Sequence, residues 1–439
     1  MRRTSRLLAA TTSLFCLSLT TIAQAPPTQS PAQPPASPYH QPDAAQLAGI
    51  AKDNSRHFGD DPDNPGPLAT DLSPALNHAA VEKAMRKVAD WQLARSQPYF
   101  DRIWTWSVLY SGFIAASSSL HDPTYRDAMQ KMSEGFHYEL RSKMPDADDQ
   151  SVGQTYVELA LEDRAKSGGH ESLADNPMVK PTREALDRVM NTPYKPASEV
   201  KSIPWWWCDA LFMAPPLWAR MYAATGDRKY ITYLDDQWKQ TYDLLWNPQE
   251  DLYARDSSYK TRTEGNGQLM FWSRGEGWVM GGLARTIPYL PKDDARRAFY
   301  VKNLQQMSAS LAKLQGADGL WRPGMKDPTA WAEPEISGST LIVFGLAYGV
   351  NEGYLDAKVY RPIITRAWAG IVKHIYADGR LADIQQTGPE PAPYKASASY
   401  TYGVGGFLLA GSELLRMDEH TGGKHGSKTV RHTAKPSTR

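Results

Sequence analysis

Apolar residues recur along most of the chain at the three- and four-residue spacing of an amphipathic helix, and nowhere alternate at period two for long enough to make a core strand. The first clear face runs from His78 to Arg95, with Val81, Ala84, Met85, Val88 and Trp91 on one side. An aromatic-rich helix start follows at 103–113. Helical patterns continue through 123–142, 150–166, 181–191, 209–224, 228–247, 275–289, 292–315, 338–350, 359–374 and 403–416. Gly226-Asp227, Pro291-Lys292, Asp318-Gly319 and Asp378-Gly379 punctuate the gaps, as helix-stopping and turn-forming pairs do. Short strand candidates flank Leu320 and Leu381. This pattern predicts about twelve helices joined by short and long connections in turn. An all-α (α/α)6 barrel suits it, six hairpins forming two concentric rings. A superhelical array of helical repeats suits it less well, because no constant period of about 34 or 40 residues is present. In a closed double ring, the long loops of one rim and the inner helix ends would form a cleft lined by the aromatic-rich segments at 104–110, 205–212, 271–278 and 321.

The flanks read differently. In residues 1–25, Arg2, Arg3 and Arg6 precede an apolar stretch at 7–22 and the small-x-small site Ala23-Gln24-Ala25, the pattern of a secretory signal. Residues 26–76 read as a Pro-rich linker and polar segment, with order beginning near Asn77. Residues 77–419 would be the barrel. Residues 420–439 carry Lys424, Lys428, Arg431, Lys435 and Arg439, no acid and almost no apolar side chain, and read as a disordered basic tail. No segment after the signal has 18 or more consecutive apolar residues, so none is expected to span a membrane. Signal cleavage would leave Cys208 as the single cysteine, unable to form an internal disulfide, which a secreted or periplasmic protein tolerates. The formal charge of +1 includes the three signal arginines and the five basic tail residues, so the body between them carries −7. A body that acidic is a poor partner for nucleic acid.

Chemistry concentrates in four places. Ser202–Met213 holds Trp205, Trp206, Trp207, Cys208 and Asp209 in sequence, and Pro215 and Pro216 follow closely, which interrupts or restarts the helix ladder just past Met213. Three consecutive indoles cannot all face one core, since neighbouring side chains on a helix point about 100° apart. Some would line a cavity and desolvate Asp209, raising its pKa as an acid/base group requires. Core tryptophans with Asp209 as a helix cap explain the same residues. Asp146, Asp148 and Asp149 cluster before Gln150, Gly153 and Gln154, where carboxylates also serve as caps. A polar stretch, Tyr253 to Tyr259, includes Arg255 and Asp256. Finally, Arg274 and Trp278 are four residues apart around Glu276, which has a glycine on either side. A guanidinium beside an indole suits a sugar carboxylate; a helix start with an ion pair is the alternative. Phosphate loops, Gly-x-Ser-x-Gly elbows and His-Glu-x-x-His pairs are missing, and the ten histidines are scattered, so a zinc site is not expected.

With Trp205–Met213 and the Trp272-Ser273-Arg274-Gly275-Glu276-Gly277-Trp278 motif together, the chain resembles glycoside hydrolase family 105, the unsaturated rhamnogalacturonyl hydrolases. The resemblance covers most of 80–415, including Trp104-Thr105-Trp106, Asp148-Asp149-Gln150, Asp318-Gly319-Leu320-Trp321-Arg322, Ser337-Gly338 and Tyr402-Gly403-Val404-Gly405. It implies the (α/α)6 barrel and a hydrolase acting on oligosaccharides from pectin lyase digestion that end in an unsaturated uronic acid. Asp209 would be the general acid/base and Asp149, or its neighbour Asp148, the second active-site carboxylate. Trp104, Trp106, Asp148, Trp207, Met213, Arg255, Arg274 and Trp278 would contact the substrate. Three departures stand out: Arg255 lies where other members carry a histidine, residues 181–204 contain no histidine, and Glu276 replaces an asparagine. The implied reaction hydrates the C4=C5 vinyl ether rather than attacking the anomeric carbon, and calls for no metal or organic cofactor. An inverting glycosidase using Asp209 with Asp149 or Glu276, a non-catalytic periplasmic sugar-binding protein, and more faintly a sugar epimerase remain as alternatives on the same barrel.

Overall fold

The structure, a computed structural model, describes residues 44–422. The expected signal, residues 26–43 of the linker segment and the basic tail from 423 onward lie outside the described residues. Twelve helices form six hairpins. The outer members are α2 (His78–Ser96), α4 (Pro123–Gly135), α7 (Lys180–Met190), α10 (Lys229–Leu245), α12 (Arg297–Lys313) and α14 (Ala357–Val372). Their inner partners are α3 (Trp104–Ser119), α6 (Gly153–Lys166), α9 (Pro215–Thr225), α11 (Ser273–Thr286), α13 (Ile336–Asn351) and α15 (Thr401–Gly422). Each inner helix packs on the next and α15 returns to α3, so the ring closes.

Composition separates the rings. Outer α7 buries Thr182, Ala185, Leu186 and Val189 at helical spacing and turns its charges outward. Inner α11 is buried at every position and α13 at all but its last two. Such helices approach closely only where side chains are small. A Cβ on Gly405 would stand 2.3 Å from the Val108 carbonyl oxygen, and one on Gly112 would stand 2.7 Å from that of Gly405, so α3 and α15 cross on glycine.

Several boundaries move. The 209–224 helix divides into a single turn, α8 (Ala210–Met213), and α9, because Pro215 and Pro216 have no N–H to continue the ladder. Another single turn, α5 (Ala147–Gln150), precedes α6. The predicted 123–142 helix stops at Gly135, since His137 and Tyr138 take positive φ. A two-stranded hairpin, β1 (Trp246–Asn247) with β2 (Leu252–Tyr253), appears where no strand was expected. Leu381 pairs with Ile375 in an isolated bridge, and Leu320 lies in no bridge. Order also begins before Asn77: α1 (Ala44–His57) is helical, and bridges Asp60–Ser399 and Leu68–Tyr376 bind the following segment to the loop before α15. Polar contacts anchor this segment, among them Asn54 to Asp61 at 2.6 Å and Lys395 to Asp63 at 2.9 Å, so no apolar stripe announces it.

Connections 120–122, 226–228 and 352–356 are short, whereas 136–152, 191–209, 246–272, 314–335 and 373–400 are long. Every long one leads into an inner helix or the turn before it. The long loops and the six inner N-termini therefore share one rim, where exposed N–H groups and helix dipoles favour an anion.

Candidate active site

Asp209 sits on this rim immediately before α8, yet its side chain makes no capping bond. It accepts instead from the neighbouring thiol, Cys208 Sγ to Asp209 Oδ1 at 3.2 Å. Burial pushes the Asp209 carboxyl above its ordinary value; the Arg255 charge, the thiol bond and the Arg274 charge pull the other way and do not cancel it. Burial also holds the Cys208 thiol well above its usual range, so it stays protonated and remains a donor.

The acidic cluster separates into three roles. Asp146 caps α5 by accepting the Asp148 N–H at 3.0 Å. Asp149 is buried, accepts the Lys143 N–H at 2.8 Å and pairs with Arg141 at 3.2 Å, and so fastens the loop. Asp148 takes no hydrogen bond on its carboxylate among the described residues. Its carboxyl is raised well above normal by burial, then by the charges of Asp146 and Asp209. Of the two adjacent aspartates, Asp148 is the one in electrostatic contact with Asp209.

Arg255 is placed by main-chain geometry. The Cys208 N–H donates to the Arg255 carbonyl at 2.9 Å, and Trp207 and Asp256 form a bridge. Its guanidinium donates one Nη to Asp256 at 2.7 Å and lies 5.3 Å from the Trp206 ring, while its buried Nε has no partner. The tryptophan run thus serves two purposes. Trp205 is core, edge-on to Tyr233, and Trp207 is buried; Trp206 is half-buried and carries Lys201 5.1 Å from its ring. Trp206, rather than the expected Trp207, faces outward.

Other residues expected to contact the substrate are packed into the fold. Arg274 is 1% exposed, donates to the carbonyls of Gln385 at 2.6 Å and Gln386 at 2.8 Å, and lies between the rings of Trp272 and Tyr402. Its fork secures the loop before α15, its buried Nε has no partner, and its charge acts on Asp209. Trp278 and Met213 are fully buried; Trp278 lies beneath the half-buried Trp104, edge to face at 5.8 Å. Trp106 is also core, packed on Phe58 at 4.8 Å. Glu276 is buried in the first turn of α11 and accepts the Tyr253 N–H at 2.9 Å; burial pushes its carboxyl well above the ordinary value, and its charge acts on the Cys208 thiol. One rim residue escaped the sequence reading. His57, at the end of α1, places its ring 6.2 Å from Trp104, and it lay in a segment read as linker with no pattern to mark it.

A half-buried acid with a raised pKa, a second carboxyl pushed well above its ordinary value, a guanidinium and two half-buried indoles are thus gathered at one rim. Glycosyl Hydrolase Family 88 is the family whose model matches the chain, over residues 76–418. The unsaturated 3S-rhamnoglycuronyl hydrolase of Formosa agariphila is 34% identical over 360 residues, covering 78% of this chain and 93% of that protein. A glycosyl hydrolase family 88 structure from Bacteroides vulgatus superposes with a TM-score of 0.70 at 25% identity, covering 77% of this chain and 99% of that one. A family 105 glycoside hydrolase of C. acetobutylicum shares the fold with a TM-score of 0.59 at 20% identity, covering 76% and 98%.

Proposed function

The chain belongs to glycosyl hydrolase family 88, and from that membership we propose that it removes a 4,5-unsaturated uronate from the non-reducing end of rhamnose-containing acidic oligosaccharides. The name of the Formosa agariphila relative supports this substrate class. The observation that carries the reading is the Asp209 carboxyl, uncommitted to helix capping and shifted by burial toward the protonated form. Protonated Asp209 delivers its proton to C4 of the vinyl ether, leaving oxocarbenium character at C5 and the ring oxygen. The resulting carboxylate takes a proton from water as that water adds to C5. The hemiketal opens and releases the sugar below. Asp148, neutral beside it, donates a hydrogen bond to the ring's oxygens without adding a second charge. Arg255, with its free Nε, meets the uronate carboxylate, which the helix N-termini of the rim also favour. Trp104 and Trp206 offer ring faces to the sugar. The pattern of residues 1–25 supports a secreted or periplasmic place of action.

The test follows the substrate's own chromophore. Incubation with lyase-digested rhamnose-containing polysaccharide is expected to remove the near-ultraviolet absorbance of the unsaturated uronate in step with release of the next sugar. Persistent absorbance with new reducing ends would instead indicate direct attack at the anomeric carbon.

The thiol donor gives a pH prediction. Its bond favours the ionised form of Asp209, so Cys208→Ala raises the Asp209 pKa further. Activity depends on the protonated acid and is lost as pH rises through that pKa. The alkaline limb of kcat against pH should therefore move to higher pH in Cys208→Ala, and a limb that moves to lower pH would refute the assignment.

A further inference from the structure

A groove of about 860 Å³ opens between the 136–152 loop, the end of α7 and the segment after it. That is within the range of about 300–1,000 Å³ typical of pockets enclosing a drug-sized ligand. Arg141, Arg188, Tyr194 and Lys195 line it, together with Glu139 and Glu184. The two acids have cations of their own, Arg102 for Glu139 at 4.0 Å and Arg183 for Glu184 at 3.9 Å. Arg188 and Lys195 are exposed and their side-chain cations have no partner among the described residues, on a body that is otherwise acidic.

Contacts lead from this groove to the reactive carboxyl. Tyr194 donates its hydroxyl to the Lys201 carbonyl at 3.0 Å. The Lys201 ammonium lies over Trp206, Arg255 lies near the same ring, and the Arg255 charge acts on Asp209. On the other wall, Met144 and Pro145 line the groove directly before the turn that carries Asp148. Cations and flat rings therefore alternate along one surface, the arrangement that holds an anionic saccharide by charge and by stacking.

We propose that this groove is an extended subsite that binds the anionic sugar residues following the cleaved bond, recognising a sulfate or carboxylate through Arg188 and Lys195. The proposal rests on Asp209 being the reactive centre, and it makes the enzyme prefer longer chains over disaccharides.

The experiment compares wild type with Arg188→Glu/Lys195→Glu on an unsaturated disaccharide, a sulfated tetrasaccharide and the same tetrasaccharide after desulfation. The ratio of kcat/KM for tetrasaccharide over disaccharide should fall at least about tenfold, through KM, at a loss of about 1.4 kcal/mol per tenfold. A ratio that does not change overturns the proposal. A fall confined to the sulfated substrate identifies sulfate as the recognised group; a fall on both identifies the carboxylate. Calorimetric titration of tetrasaccharide into Asp209→Asn, with and without the charge reversals, reads the groove independently of turnover. If wild type hydrolyses none of these uronides, the reading of Asp209 fails. The titration still decides the groove: tenfold weaker binding sustains it, and equal binding overturns it.

Discussion

Asp209→Asn lowers kcat on an unsaturated uronide by about 10²–10⁴-fold, the contribution a positioned general acid–base group makes. The amide keeps the shape of the side chain and can still accept from Cys208, but it has no acidic proton for C4. Arg255, Trp104 and Trp206 are untouched, so KM should change far less than kcat. The same substitution should leave the protein more stable. Asp209 has its pKa raised in the folded state by burial. Its contribution to stability is therefore fully present at pH values below the unfolded aspartate pKa and is lost as pH rises through the folded value. Asparagine has no charge to desolvate, so the denaturant midpoint of the variant should exceed that of wild type at neutral pH, with a gap that widens from acidic to neutral conditions. Activity and stability pulling in opposite directions at one carboxyl is the mark of a functional rather than a structural group. A variant within tenfold of wild-type kcat would end the assignment.

Much of the barrel was legible because its outer helices must be amphipathic: α7 and α10 each show a charged and an apolar side. The inner helices were legible for a different reason. Runs such as Ile336 to Gly349, apolar with interspersed glycine, can only be buried. The break before α9 followed from Pro215 and Pro216 alone. What the sequence could not show was the direction of each side chain at the rim. Trp205, Trp206 and Trp207 are identical in chemistry, and only the bridge from Trp207 to Asp256 decides that Trp206 faces out. Arg274 had the chemistry of a carboxylate ligand, but its donors go to Gln385 and Gln386, more than a hundred residues away. Asp148 and Asp149 are separated by a contact from Arg141 that spacing does not specify. Helix α1 lay in a segment read as linker; Asn54 near its end accepts from the Tyr400 hydroxyl, and Asp60, Asp61 and Asp63 after it bond to residues 395–400.

Glu158→Ala should destabilise the protein by about 3–5 kcal/mol, the cost of removing one partner from a buried ion pair. Glu158 of α6 binds Arg220 of α9 at 3.2 Å and Arg285 of α11 at 2.8 Å, so one carboxylate joins three consecutive inner helices. Without it, two buried guanidiniums face each other unneutralised. Burial, then the Arg220 charge, already holds Arg285 below its ordinary pKa. Arg285 also donates to Gln154 at 2.9 Å, whose amide in turn donates to the carbonyls of Phe212 and Met213 in α8. Loss of the carboxylate therefore reaches the turn that follows Asp209, and kcat should fall several-fold beside the larger loss of stability. Burial alone would raise the Glu158 pKa, but the two arginines outweigh it and hold the carboxyl below its ordinary value of 4.5. Its stabilisation is thus present above that value and disappears as pH falls through the folded pKa. Unfolding curves of wild type and Glu158→Ala should stand far apart near neutrality, with thermal midpoints differing on the order of 10 °C, and approach each other in acid. Curves that coincide at neutral pH would show that the arginines are neutralised without Glu158, and that the three inner helices are held by packing alone.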